Sequence, residues 1–179
     1  MDSVETIIIT TVTGANSAYV SSHIQNAEAL WIAGGDQSTY VALWRGTAVE
    51  AGVNHLLNSK LAPVGGTSAG LAVLSQFIYT GALGSVTSSQ ALANPFHRYV
   101  TLDRDLFQSA LGTNKLYDSH FVTRDRMGRS LTFLARIVNN GWATQPRGIG
   151  IDEETALLVM PNGAATMVGT GAAYFLQAP

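Results

Sequence analysis

Gly66-Thr67-Ser68-Ala69-Gly70 matches Gly-x-Ser-x-Gly, the pattern of a sharp strand-to-helix turn that presents a serine hydroxyl as a nucleophile. The flanks suit that geometry. Leu61 to Val64 is a short, mainly apolar run ending in Gly65-Gly66, and Leu71 to Gln76 reads as a helix. Small residues at 66 and 70 let the backbone pass close to itself and leave the Ser68 hydroxyl accessible. The Ala69 N–H would open the helix, where unsatisfied donors and the dipole favour an oxyanion. With 18 glycines in 179 residues the five-residue match is weakly specific. The strand and helix around it make it a nucleophile candidate.

A serine nucleophile needs a base, and the base needs an orienting carboxylate. The histidines are His23, His55, His97 and His120. His23 and His55 fall inside helical stretches and His97 in a loop-like one, where ordinary structural roles suffice. His120 closes Leu116-Tyr117-Asp118-Ser119-His120-Phe121 at a strand end, where open α/β sheets place their ligand sites. Asp152 and Glu153 follow the apolar run Gly148 to Ile151. Adjacent residues of a strand point to opposite faces, so one of the two faces the histidine and the other does not. The resulting order of serine, histidine, acid differs from the serine, acid, histidine order of the α/β-hydrolases.

Arg124, Arg126 and Arg129 follow the histidine, and with Arg136 they make four of the ten basic residues. Three guanidiniums so close repel one another unless an anion joins them. A substrate carboxylate held by a bidentate fork is one such anion, and Asp118 and Asp125 are others. At least one arginine is therefore expected to face the Ser68 cleft and the rest to bond protein acids.

The elements that position these groups alternate between strand and helix, which implies a layered α/β domain with a largely parallel sheet. Strands are expected over 4–12 and 29–33, before Ser68 over 61–66, at 117–121, over 148–160, and over 165–169 and 172–176. The turn Pro161-Asn162-Gly163 joins the last strands as a C-terminal β-hairpin. Helices are expected over 16–29, over 39–57 with a break near Arg45-Gly46-Thr47, over 103–111 and over 127–140. The stretch 78–99 reads as loop. No linker divides the chain, so 1–179 is one domain.

Composition narrows the function classes. A formal net charge of −2 gives no attraction to nucleic acid or to an anionic membrane surface. No apolar run reaches the roughly 18–20 residues of a membrane span. No basic-flanked apolar segment marks a signal peptide, so a cytoplasmic location is expected. The absence of cysteine excludes disulfides, thiolate catalysis and cysteine-ligated zinc. No cofactor or metal is called for. Charged residues at 12% against 46% hydrophobic imply apolar surface covered by another chain or by a missing segment, with a homodimer as the default.

Four blocks together resemble the cyanophycinase branch of the serine peptidases (peptidase family S51), in the class I glutamine-amidotransferase-like superfamily. They are Trp31-Ile32-Ala33-Gly34-Gly35-Asp36-Gln37, Val64 to Gly70, Asp118-Ser119-His120-Phe121 through Arg124 to Arg129, and Gly148 to Ala156. The resemblance spans nearly the whole chain. It implies a three-layer sandwich of the flavodoxin-like kind. It implies that Ser68 attacks, that His120 is the base and that Glu153 orients it, with Asp152 as the fallback. Ala69 and the Gly35-Asp36 turn would supply oxyanion donors. Gln37, Asp118, Ser119, Arg124, Arg126 and Arg129 would line the pocket for an acidic peptide or a cyanophycin-like substrate. Cyanophycinases release β-aspartyl-arginine from a polymer with an aspartate backbone, and related dipeptidases release N-terminal aspartate. An amidase with another acyl group and a non-catalytic remnant that binds acidic peptides are the alternatives. Two features depart from the family. Ser119 stands where cyanophycinases usually carry Gln. The family also opens with a strand–helix unit that this chain lacks at its start, so it looks N-terminally short by roughly 60 residues.

Overall fold

The computed structural model describes residues 3–178, so residues 1, 2 and 179 of the expected single domain lie outside the described residues. β1 (Leu30–Ile32) and β2 (Val64–Gly66) pair in parallel, with Ile32 opposite Gly66. Trp31 lies over Gly65, where a Cβ would fall 2.5 Å from the indole.

Helices α1 (Val12–Ala15) and α2 (Ala18–Asn26) precede β1. After it come α3 (Gln37–Trp44), α4 (Ala48–His55) and a π-helical turn over Leu56–Lys60. The break between α3 and α4 falls at Arg45-Gly46-Thr47, where Gly46 has φ 70°. Val20 and Ile24 of α2 and Val49 and Val53 of α4 bury together with Ile32, Leu56, Val73 and Phe107 in the first of two apolar cores. The i, i+4 spacing on both helices is that of one stripe facing inward.

The larger sheet is built from β3 (Phe77–Tyr79), β4 (Leu102–Arg104), β5 (Lys115–Asp118), β6 (Arg147–Ile151) and β9 (Ala173–Gln177). Its strand order is β4-β3-β5-β6-β9. The central pairings β3–β5 and β5–β6 are parallel, and β4 and β9 run antiparallel at the edges. The parallel expectation therefore describes the centre only. Helix α7 (Met127–Asn139) supplies the crossover that the parallel β5–β6 pair needs. Its Phe133, Leu134 and Ile137 bury against Phe77, Tyr79 and Leu116 in the second core, while Leu131 and Val138 face out.

Several segments differ from the sequence reading. Residues 4–12 form no ladder. Ile7 and Ile9 pack on the first core while Ile8 is exposed, so the segment keeps a strand's alternation without a strand partner among the described residues. The 78–99 stretch contains the end of β3 and helix α6 (Ser88–Ala93). Thr87 and Gln90 form a capping box at the start of α6, and that Thr-x-x-Gln pattern was the signal for it. The expected helix at 103–111 is strand β4 followed by turns, because Asp105 takes φ 60° and Leu106 and Phe107 bury as single anchors. The expected long strand 148–160 splits into β6 and β7 (Thr155–Val159) at Glu154, whose φ is 52°. β7 pairs antiparallel with β8 (Ala165–Gly169) as a separate two-stranded ribbon. Leu158, Val159, Met167 and Val168 on it are exposed, which is where part of the low charged fraction shows on the surface.

Candidate active site

The elbow follows from two glycines. β2 ends at Gly66 and helix α5 (Ala69–Ala72) starts one residue after Ser68. Ser68 adopts φ 53°, ψ −116°, a conformation that costs a side-chain-bearing residue about 1–3 kcal/mol. A Cβ on Gly66 would lie 2.4 Å from the Gly70 backbone, and one on Gly70 would lie 2.1 Å from the Ile32 carbonyl oxygen. Only hydrogen fits at either place, so the glycines of the motif are what bring β1, β2 and α5 into contact. Thr67 N–H donates to the Ile32 carbonyl at 3.1 Å, and Gly70 N–H to the Thr67 carbonyl at 2.9 Å, which closes the turn.

His120 leaves the end of β5 with φ 49°. Its neighbour Phe121 is buried and packs on Gly150, where a Cβ would come within 2.4 Å of the ring. Phe121 also stacks on Tyr174 with ring centroids 5.1 Å apart. Anchored this way, His120 places Nε2 3.1 Å from Ser68 Oγ and Nδ1 2.6 Å from Glu153 Oε1. An ionised carboxylate only accepts, so Nδ1 carries the hydrogen and Nε2 is left to accept from the Ser68 hydroxyl. The His120 hydrogen bond is the largest influence on the Glu153 carboxyl and holds it below its usual range, with burial as the second and opposing influence. The His120 and Arg124 charges and the Thr123 hydroxyl add to the lowering. Asp152 does something else. Its two oxygens accept from Val122 N–H at 3.0 Å and Ala172 N–H at 3.1 Å, pinning the His120 loop to the start of β9.

Beside Ser68 opens a cleft of about 240 Å³. Gly35, Asp36, Gln37, Ala69, Asp118, Ser119, Arg124, Arg126 and Arg129 all line it, so every residue expected from the sequence to bind substrate or an oxyanion is in its wall. Asp36 caps α3 by accepting from Ser38 and Thr39. Burial raises its pKa most, but those donors together hold it below the usual carboxylate value. The Gln37 amide donates to the Tyr79 carbonyl at 2.9 Å.

The three arginines differ. Arg129 is buried and grips Asp118 with a two-pronged fork, Nε to Oδ2 at 2.8 Å and Nη2 to Oδ1 at 2.7 Å, while stacking on Tyr79. Arg126 donates Nη1 to Asp118 at 3.0 Å and to the Ser119 carbonyl at 2.7 Å. Burial, partly offset by Asp118, lowers Arg126 to about 10, still well above neutral pH, so it stays charged. Arg124 is exposed and bonds no carboxylate among the described residues. One buried carboxylate thus serves two guanidiniums, and the wall keeps a positive excess. Ala72 and Tyr117 also line the cleft, as do Tyr79, Thr80, Gly81 and Ser85, none of which was expected from the sequence. The last four share one segment, in the stretch without periodicity, and no residue type there signals a site. Among the described residues no group of three or more His, Asp or Glu could hold a metal ion, and no helix is long and apolar enough to cross a membrane.

No family model matches the chain. It is 25% identical over 151 residues to a cyanophycinase of Geminocystis herdmanii, covering 83% of this chain and 49% of that protein. The chain is similar to cyanophycinases. A Nostoc cyanophycinase is 25% identical over 157 residues, 87% of this chain and 47% of that protein. A Synechococcus elongatus cyanophycinase is 27% identical over 150 residues, 84% and 42%. The chain spans about half the length of these curated relatives. Among solved structures, a peptidase from an acI-B1 Actinobacterium superposes with a TM-score of 0.65 at 18% identity, over 93% of this chain and 60% of that one. The chain therefore shares that peptidase's fold.

Proposed function

We propose that this chain is the catalytic part of a cyanophycinase-like serine peptidase that cleaves aspartyl or β-aspartyl peptides. The observation that carries the reading is the line Ser68 Oγ, His120, Glu153, with a 3.1 Å and a 2.6 Å contact in series. Ser68 attacks the scissile carbonyl as His120 Nε2 takes its proton. Glu153 holds the ring and stabilises the imidazolium. The Ala69 N–H and the Gly35-Asp36 turn meet the oxygen of the tetrahedral intermediate. His120 then returns the proton to the leaving amine, and a water repeats the sequence on the acyl-enzyme.

The positive excess of the cleft supports an acidic substrate. Arg124 pairs with no carboxylate among the described residues and can meet one from a substrate, and Arg126 sits beside it. Arg129 and Asp118 set the wall from behind. The similarity to cyanophycinases supports the same substrate class, and Ser119 makes its wall smaller than the Gln of that family would. The test is hydrolysis of cyanophycin, β-Asp-Arg, Asp-Leu and γ-glutamyl peptides by the wild type and by Ser68→Ala. Turnover of an aspartyl or β-aspartyl substrate by the wild type alone supports the proposal. Turnover of none of them, or equal turnover by both proteins, refutes it.

A further inference from the structure

The turn after β1 faces the elbow and contains Gly34-Gly35, two residues with no side chain to fix the peptide between them. Glycine populates both signs of φ with little penalty, so such a peptide rotates easily unless tethered. Tyr40, in the first part of α3, is placed to tether it. Its hydroxyl lies 3.0 Å from the Gly34 carbonyl oxygen and 3.1 Å from that of Ala33, and its single hydrogen is shared between the two acceptors. The peptide unit is planar and trans. A Gly34 carbonyl directed at Tyr40 therefore directs the Gly35 N–H to the opposite side. The surroundings define the two sides. A Cβ on Gly35 would fall 2.6 Å from the Tyr40 hydroxyl, and one on Gly34 would fall 3.3 Å from Ser68 Cβ.

The tether is itself fixed. The Tyr40 ring stacks on Trp44 with centroids 4.4 Å apart and planes 6° apart, and Trp44 meets the buried Phe107 at 6.3 Å. Burial first, and then the Asp36 charge, push the phenol pKa up, so the hydroxyl keeps the proton it donates.

We infer that Tyr40 is a positioning residue for the oxyanion site, holding the Gly34–Gly35 peptide so that the Gly35 N–H meets the oxygen of the tetrahedral intermediate. The inference rests on the serine-peptidase reading of this site. A positioning role acts on the transition state and leaves ground-state binding alone. Removing an oxyanion donor outright costs about 10²–10³ in rate, and untethering one costs part of that.

The experiment compares wild type, Tyr40→Phe, and a protein with p-aminophenylalanine at 40, on a peptide that the wild type cleaves. Expected for Tyr40→Phe are a kcat lowered about 10–100-fold, an unchanged KM, an unchanged thermal midpoint, and a parallel loss of affinity for a peptide boronate that forms a tetrahedral adduct. The p-aminophenylalanine protein, which keeps an N–H donor in place, regains most of kcat. Substrate binding to Ser68→Ala is expected to be the same with and without Tyr40→Phe. An unchanged kcat in Tyr40→Phe, or kcat and substrate affinity falling together with the thermal midpoint, overturns the role of Tyr40. Wild type no faster than Ser68→Ala instead overturns the peptidase reading, and the inference with it.

Discussion

His120 Nε2 stands 3.1 Å from Ser68 Oγ, although 52 positions separate them in the chain. Each sits just past the carboxyl end of its strand, β2 or β5, on backbone held at positive φ. Both are fixed by bare glycine: Gly66 and Gly70 for the serine, Gly150 under Phe121 for the histidine. The same ends of parallel strands are where open α/β sheets gather ligand groups.

Ser68→Ala is expected to lower peptide turnover by about 10⁴–10⁶ while leaving the fold intact. Alanine inherits the strained backbone that serine already tolerates, and the hydroxyl makes no large packing contribution. Steady-state kinetics and a thermal melt check the two halves separately. Turnover at the wild-type rate removes Ser68 from the mechanism.

Glu153→Gln and Asp152→Asn should separate chemistry from support. Gln at 153 no longer balances an imidazolium and is expected to lower kcat by about 10²–10⁴, with the melt unchanged because the group is exposed. Asn at 152 turns a donor toward one of two backbone N–H groups that now find acceptors. The expected cost is about 1–3 kcal/mol of stability. The reverse pattern, with Asp152 catalytic and Glu153 structural, would invert these results.

The titration of Glu153 carries a sign. Its folded pKa is lowered, chiefly by His120. Whatever stability that bond contributes is present above the ordinary carboxylate pKa and is lost as pH falls through the lowered value. Carbon-detected NMR of the Glu153 carboxyl should give a midpoint below the ordinary value of about 4.3. In His120→Ala the midpoint should move up. A wild-type midpoint at or above the ordinary value would break the assignment.

Arg124→Lys should lower kcat/KM for an acidic peptide about 10–100-fold and hardly affect a neutral ester, since lysine cannot make a bidentate carboxylate contact. Arg129→Met should behave differently. It takes the two-pronged fork away from the buried Asp118 carboxylate, leaving Arg126 as its one charged partner, and is expected to cost up to about 3–5 kcal/mol of stability. Equal losses by Arg124→Lys on both substrates would remove the substrate-carboxylate contact from the account.

Much of the candidate site was legible because each of its motifs is a short local run, although the runs lie far apart in the chain. Gly66 to Gly70 specify a turn by what they lack, and the arginines after His120 demanded an anion, which Asp118 supplies. Pairing was less legible. Nothing in residues 4–12 says that Ile7 and Ile9 rest on the core without a ladder, because β-branched residues satisfy either state. The Asp152-Glu153 pair left two choices from alternation alone. Asp152 is claimed by Val122 and Ala172, which are distant in sequence. Tyr40 was invisible for another reason: its partners are close in sequence, but they are backbone carbonyls and an aromatic stack, which leave no mark in the residue pattern.

Covalent labelling with a fluorophosphonate, mapped by peptide mass spectrometry, asks whether Ser68 is a nucleophile activated by His120. One adduct is expected, on Ser68, formed fast in the wild type, absent in Ser68→Ala and slowed by orders of magnitude in His120→Ala. An unmodified Ser68, or an adduct there whose rate ignores His120, would contradict the serine mechanism.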